Sequence, residues 1–173
     1  MNSRERSKSR KRRSGGNALV EWMLVLLPTL GLLTAFFDVS YALFCWSTIQ
    51  NAVREGCRYA ITFQTITGYG QDSSIEQTVA ADSMGMVSAS SSPQLIFVNY
   101  FTQTNPNTPM AAPNGNLPNN IVEVSIQNFP LQWLVPISGT IIDPYRSVQP
   151  ATISVYSSDV LGGYPAGVGS VSR

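Results

Sequence analysis

Glu21 is the residue whose type and position most demand a chemical explanation. It is the only ionisable side chain in the apolar run Ala18–Phe37, ALVEWMLVLLPTLGLLTAFF. Twenty apolar residues suffice to cross the ~30 Å hydrocarbon layer of a bilayer as a helix. A charge inside such a span costs a few kcal/mol on the lenient insertion scale, so it marks a functional position by default. The residues before it sharpen the point: a basic stretch, then Gly15-Gly16, then Asn17, with Glu21 four positions further on. Cleavage between Gly16 and Asn17 would place Glu21 fifth in the shortened chain and would create an amine one helical turn below it. A glycine at that junction has no Cβ to obstruct entry of an extended backbone into a protease cleft. A carboxylate and an amine from neighbouring helices would offset each other's desolvation and set an axial register, the best-attested use of buried polar pairs.

This arrangement resembles the prepilin processing site, in which a basic leader ending in glycine precedes an apolar helix with glutamate at its fifth position. Gly15 is an alternative junction, but it puts Glu21 sixth. The resemblance implies that the chain is the substrate of a prepilin peptidase and that Glu21 drives assembly with other pilin-like subunits.

The elements that must position Glu21 are unevenly charged. The chain has 173 residues and a formal net charge of +1, which conceals two opposite parts. Arg4, Arg6, Lys8, Arg10, Lys11, Arg12 and Arg13 lie ahead of residue 14 with Glu5 the only acid among them, whereas acids outnumber bases over the rest. Basic residues flanking a span hold that end in the cytoplasm. The expected topology is therefore a single pass through the bacterial inner membrane, with the N-terminus cytoplasmic and the C-terminal body outside the cytoplasm. A secretory signal peptide fits poorly, because the run is too long and ends Ala35-Phe36-Phe37-Asp38 rather than in a small-x-small cleavage site. The basic segment is explained by topology and anionic lipid, so nucleic acid is not an expected partner.

Past Asp38 the helical pattern continues. Val39, Ala42, Leu43, Trp46, Ile49, Val53, Cys57, Ala60 and Ile61 recur in steps of three and four, the spacing of an amphipathic helix. Tyr41 and Trp46 stand just beyond the apolar end, where aromatic side chains favour the headgroup zone. Pro28 and Gly31 are tolerable within a membrane helix, and Pro28 predicts a mild kink. One helix of roughly 45–50 residues, on the order of 70 Å, joins membrane and body. It carries Asn51-Ala52-Val53-Arg54-Glu55-Gly56-Cys57-Arg58-Tyr59-Ala60. This segment resembles the Asn-Ala-x-Arg-Glu-Gly-x-Arg-Tyr-Ala motif of the TadE-like family, pseudopilin-like components of tight-adherence (Flp) pilus systems. The motif positions are Asn51, Arg54, Glu55, Gly56, Arg58 and Tyr59. The resemblance covers residues 15–62. It implies a minor pilin or pseudopilin, a structural component of pilus assembly or secretion that works with the pilus assembly platform and is not an enzyme. The alternative is an unprocessed single-pass signal-anchored protein presenting an extracytoplasmic binding or adhesion module.

Read physically, the motif is modest. Glu55 is within helical reach of Arg58 and of Asn51. Gly56 costs the helix about 1 kcal/mol relative to alanine, so another element must approach it, with the chain's own sheet favoured over a second subunit. The chain has no histidine and two cysteines, Cys45 and Cys57. That set cannot make a zinc site, and no cofactor or metal is expected. On one helix the two thiols stand about 18 Å apart, beyond the reach of a disulfide. They are free and buried, or they contact other subunits. Glu123 and Asp143 read as ordinary surface acids, so an extracytoplasmic hydrolase finds little support.

The expected fold is α+β and pilin-like, with the long N-terminal helix packed on a small antiparallel sheet. Residues 1–16 form the basic leader, 17–38 the transmembrane helix, 39–66 its extension, 67–161 the extracytoplasmic body and 162–173 a disordered tail. Within the body a second helix is predicted over Ser73–Met86, with Asp72 or Ser73 as N-cap and Ile75, Val79 and Met84 on one face. Strands are predicted at Gln94–Thr102, Ile121–Gln127 and Ala151–Ser157, the second alternating cleanly through Val122, Val124 and Ile126. Residues 103–120 read as a variable polar loop, and Pro130–Pro144 as an apolar connection that caps the core or meets a partner.

Overall fold

The computed structural model describes residues 14–110, 114–132, 151–166 and 169–173. Helix α1 runs from Ser14 to Ile61, 48 residues without a break and about 72 Å long at 1.5 Å per residue. Helix α2 spans Gln71–Asp82. Strands β1 (Ile96–Phe101), β2 (Ile121–Pro130) and β3 (Thr152–Val160) form one antiparallel sheet in the order β1-β2-β3. The expected α+β architecture is what the chain adopts.

The core sits where the upper part of α1 meets the sheet and α2. Ile49, Ala52, Val53, Cys57 and Ala60 from α1 pack with Ile75 and Val79 of α2. Ile96 and Tyr100 of β1, Val122, Val124 and Ile126 of β2, and Val155 of β3 close it from the other side. The alternation of β2 produces this directly, since side chains two apart point to the same face. Residues 122, 124 and 126 are fully buried against the helices.

The boundaries depart from expectation for identifiable reasons. The last residues of the predicted leader, from Ser14 on, are already helical. At its far end α1 stops at Ile61, not at residue 66. The amides of Thr62 and Phe63 donate to the carbonyls of Tyr59 and Ala60 at 3.1 and 3.2 Å, which tightens the final turn. Phe63 then takes the left-handed conformation, φ +52°, the usual helix-terminating geometry but one normally given to glycine. Its ring is buried and meets Tyr164 at 4.6 Å between centroids, which offsets the conformational cost.

Helix α2 begins at Gln71 and ends at Asp82, and Gly70 is its N-cap, with no side-chain capping bond. Neither Asp72 nor Ser73 caps it. Asp72 lies in the first turn, and its carboxylate is engaged elsewhere. Val79 and Ile75 are buried as predicted, but Met84, past the helix end with φ +54°, is 75 % exposed. Strand β2 extends to Pro130 through an irregularity between Ile126 and Phe129, where Asn128 has φ +56°. Strand β3 runs on to Val160. Most of the predicted connection Pro130–Pro144 lies outside the described residues, as does Asp143.

Residues 162–173 are not a loose tail over their described part. The Gln71 amide donates to the Ser172 carbonyl at 2.8 Å, and Asn116 Nδ2 donates to the Val171 carbonyl at 2.7 Å. Tyr164 and Val171 pack on the core. The polar 103–120 connection is tied in as well. The Met110 amide reaches the Tyr100 carbonyl at 2.7 Å, and a 3₁₀ turn at Asn114–Asn116 brings Asn116 into the interior. The body therefore extends past residue 161 and includes the upper turns of α1.

Candidate functional site

Glu21 lies on the part of α1 that has left the core. Leu19, Val20, Trp22, Met23, Leu24, Val25, Leu26 and Leu27 around it are all more than half exposed. Along with Ala18, Trp22, Val25, Leu26 and Thr29, Glu21 lines a shallow groove on the helix. The apolar window of this segment is not buried by the rest of the described chain, and α1 is the one described helix long and apolar enough to cross a membrane. Within the segment the described side-chain hydrogen bonds are local. Thr29 Oγ1 donates to the Val25 carbonyl at 2.7 Å, and Thr34 Oγ1 donates to the Gly31 carbonyl at 2.9 Å. Pro28 supplies no N–H to the carbonyl four residues back, yet the helix continues through it. Gly16 and Asn17 belong to the opening turns of the same helix, with Asn17 one turn below Glu21. The helix thus places the predicted cleavage junction and the carboxylate side by side at one end of the molecule, about 50 Å along the axis from the Gly56 region.

The Asn51–Ala60 segment divides into two faces. Ala52, Val53, Gly56, Cys57 and Ala60 face the core, whereas Asn51, Arg54 and Arg58 are exposed. Glu55 Oε1 accepts from Arg58 Nη1 at 3.2 Å, with the two side chains 42 % and 75 % exposed. Exposed i,i+3 pairs of this kind contribute a few tenths of a kcal/mol. The Asn51–Glu55 pairing within helical reach is not formed. Gly56 is explained by packing: a Cβ there would collide with Val79 of α2 and touch Val124 of β2 at 3.6 Å and Ile75 at 3.7 Å. The close neighbour is chiefly the second helix, with the sheet behind it. The two cysteines are free and buried. Burial pushes the Cys57 thiol up to about 11, a donor at Ser157 opposes the shift, and Asp159 adds to it. Cys57 is a packing residue at neutral pH, since the thiolate is the reactive form.

One polar constellation left no mark in the sequence. Tyr100 OH donates to Asp72 Oδ1 at 2.8 Å, and Arg173 Nε donates to Asp72 Oδ2 at 2.9 Å. The Arg173 guanidinium stacks over the Tyr100 ring at 4.6 Å. Beside it Gln71 Nε2 donates to the Ala60 carbonyl at 3.1 Å, while Gln71 Oε1 accepts from Asn116 Nδ2 at 2.8 Å. Burial first, then the neighbouring Asp72 charge, drives the Tyr100 hydroxyl far above its ordinary value. A permanently protonated phenol wedged between a carboxylate and a guanidinium has no use as a base. The cluster is a clasp that joins α1, α2, β1 and the C-terminal residues. Among the described residues no group of three or more His, Cys, Asp or Glu side chains could hold a metal ion. Glu123 stands on the outer face of the sheet, opposite Asn99 and Ser158.

Fold and site together define a chain with a small α+β body and a bare apolar helix that bears one carboxylate and is suited to a single-pass membrane anchor. The family model described as TadE-like protein matches residues 16–58, the family that the Asn51–Ala60 segment resembles. The match covers the anchor, the predicted junction and most of the motif, and it associates the chain with Tad pilus systems. Comparison with curated proteins and with solved structures gives no match.

Proposed function

We propose that this chain is a TadE-like minor pilin or pseudopilin of a tight-adherence pilus or secretion apparatus. It is held in the inner membrane with its body outside the cytoplasm, and a prepilin peptidase cleaves it after Gly16. Its role is structural, not catalytic. The leader's positive charges anchor the N-terminus in the cytoplasm until cleavage removes them. The new Asn17 amine then pairs with the Glu21 carboxylate of a neighbouring subunit as the apolar helices bundle, and the pilus assembly platform drives that step.

The observation that carries this reading is the exposure of Glu21 on a helix segment that no other described part of the chain covers. A carboxylate in hydrocarbon needs a counter-charge, and among the described residues none stands beside Glu21, so the reading takes the counter-charge from another chain. The family match over residues 16–58 supports the same reading. The test is the N-terminus of protein extracted from membranes. Mass spectrometry of the mature chain should find Asn17 first. An intact leader on the membrane-extracted protein would refute processing and leave a plain signal anchor.

A further inference from the structure

The body has two unlike ends along α1. At the far end, where Gln71 Nε2 reaches the Ala60 carbonyl, Asp72 and Arg173 form a charged pair. At the near end, level with Tyr41, the described lining of a groove includes Tyr41, Met84, Met86, Phe129, Pro130 and Gln132, all uncharged, with Asp38 buried one turn below Tyr41. Met84 projects furthest, 75 % exposed. It is held in a left-handed turn with φ +54°, followed by Gly85 at φ +80°. A non-glycine residue in that conformation is disfavoured, and strain of this kind gathers where a side chain's placement matters. An exposed methionine on a strained turn, beside an uncharged described lining, is not accounted for by the packing of the described body.

The rim's position along the helix identifies what covers it. Tyr41 lies one turn beyond Phe37, where the apolar run ends. The exposed apolar surface of α1 does not stop there, because Val39, Leu43, Phe44 and Trp46 are all at least half exposed. With Ala18–Phe37 as the span, Tyr41 lies about 6 Å past its outer end, in the headgroup zone that flanks the ~30 Å hydrocarbon layer. The rim at Tyr41 is then continuous with the span and level with the outer headgroups.

We infer that the underside of the body, the rim of Met84, Met86, Phe129 and Pro130 around Tyr41, seats on the outer leaflet of the membrane that α1 crosses. The body rests on the lipid and does not stand off it on a helical stalk. Its occupant is the phospholipid interface, recognised by an uncharged apolar and amphipathic surface. Seating fixes the depth of α1 from above, and so fixes the depth at which Glu21 and the Asn17 amine meet their neighbours. The inference rests on the membrane-anchor reading and adds a second contact to it.

The test uses nitroxide labels on the full-length chain in phosphatidylcholine–phosphatidylglycerol vesicles at high lipid-to-protein ratio, with collision by oxygen and by an aqueous nickel chelate as the readout. Single labels are placed by Met84→Cys, Leu27→Cys and Ser73→Cys. Cys45 and Cys57, 1 % and 2 % exposed, are shielded from the labelling reagent, and the unsubstituted chain sets the background. The Leu27 label should report hydrocarbon and the Ser73 label water. The Met84 label should show an oxygen-to-nickel ratio several-fold above that at Ser73. A second rim label, Gln132→Cys, should agree with Met84. A rim label as aqueous as Ser73, with Leu27 embedded, overturns the seating while leaving the anchor intact. An aqueous Leu27 label refutes the anchor, and the seating with it. Shielding of Met84 that vanishes on dilution of protein in lipid assigns the rim to a second copy and also overturns the proposal.

Discussion

Helix α1 is one continuous element that has two different surroundings. From Ile49 to Ala60 it is a core helix, with Ile49, Ala52, Val53 and Ala60 wholly buried. From Leu19 to Leu33 it is bare, and every large apolar side chain is about half exposed or more. The backbone is the same helix in both halves, and the difference lies in the residue pattern and in what covers it. In the upper half the cover is built into the chain, and packing is specified to the methyl group. In the lower half it is lipid or other helices, and the chain specifies only apolarity and one charge. A helix that is apolar around its whole circumference fits this use, whereas the upper half presents a divided surface, with Arg54 and Arg58 outside and Gly56 inside.

The two glycines of α1 break or sharpen this contrast most sharply. At Gly56 any side chain meets Val79, whereas Gly31 has nothing within 4 Å. Gly56→Leu should destabilise the body by on the order of 3 kcal/mol through overpacking. Gly31→Leu should leave its unfolding midpoint in detergent unchanged. Thermal melts of the two variants, followed by near-ultraviolet circular dichroism, give the comparison. Equal midpoints would mean that α2 does not close on α1 as described.

The clasp is the next largest effect. Arg173→Ala removes a half-buried donor from Asp72 and the cover from Tyr100. It should cost about 1–3 kcal/mol, the usual range when a buried polar group loses its partner. The C-terminal segment should become protease-sensitive while the strands remain protected. Tyr100→Phe, which keeps the ring beneath Arg173, should cost less. Equal losses from the two would show that the phenol hydroxyl dominates the clasp.

The smallest effect concerns Glu76 on α2. Burial, then the Asp72 charge, raises its carboxyl above the ordinary value, and the hydrogen bond from Gln94 opposes the shift. A raised carboxyl pKa means that ionisation is disfavoured in the folded state. Stability tied to this group is therefore greatest at low pH and declines as pH rises through its titration. Glu76→Gln should raise the unfolding midpoint slightly at neutral pH, and the advantage should disappear below the carboxylate range. A constant advantage at all pH values would assign it to packing, not to charge.

How much of this was legible in the sequence follows the same division. The membrane half was readable because hydrophobic length and a lone charge are composition, and the alternation of β2 was readable because period two is local. The end of α1 was not, since Phe63 adopts a conformation that sequence reading reserves for glycine, and Tyr164, some hundred residues on, makes that possible. The N-cap assignment failed because Asp72 serves Tyr100 and Arg173 instead of its own helix. The C-terminal segment reads as loose from its Gly and Ser content, yet Gln71 and Asn116 grip its backbone. Contacts to main-chain atoms leave no pattern in the side chains of the segment they hold. The predicted junction at Gly16 and the carboxylate at Glu21 came from spacing, and the helix adds that both lie on a segment no described part of the body covers.

The central claim is that Glu21 is one half of a contact between chains whose other half is the amine released at Asn17. The direct measurement is a Glu21→Ala variant expressed with its native partners. Its N-terminus is determined, and its co-assembly is read by crosslinking and recovery in sheared pilus or complex fractions. The account predicts cleavage at Gly16 as in the unsubstituted chain, together with loss of co-assembly. Normal co-assembly of the cleaved variant would contradict it.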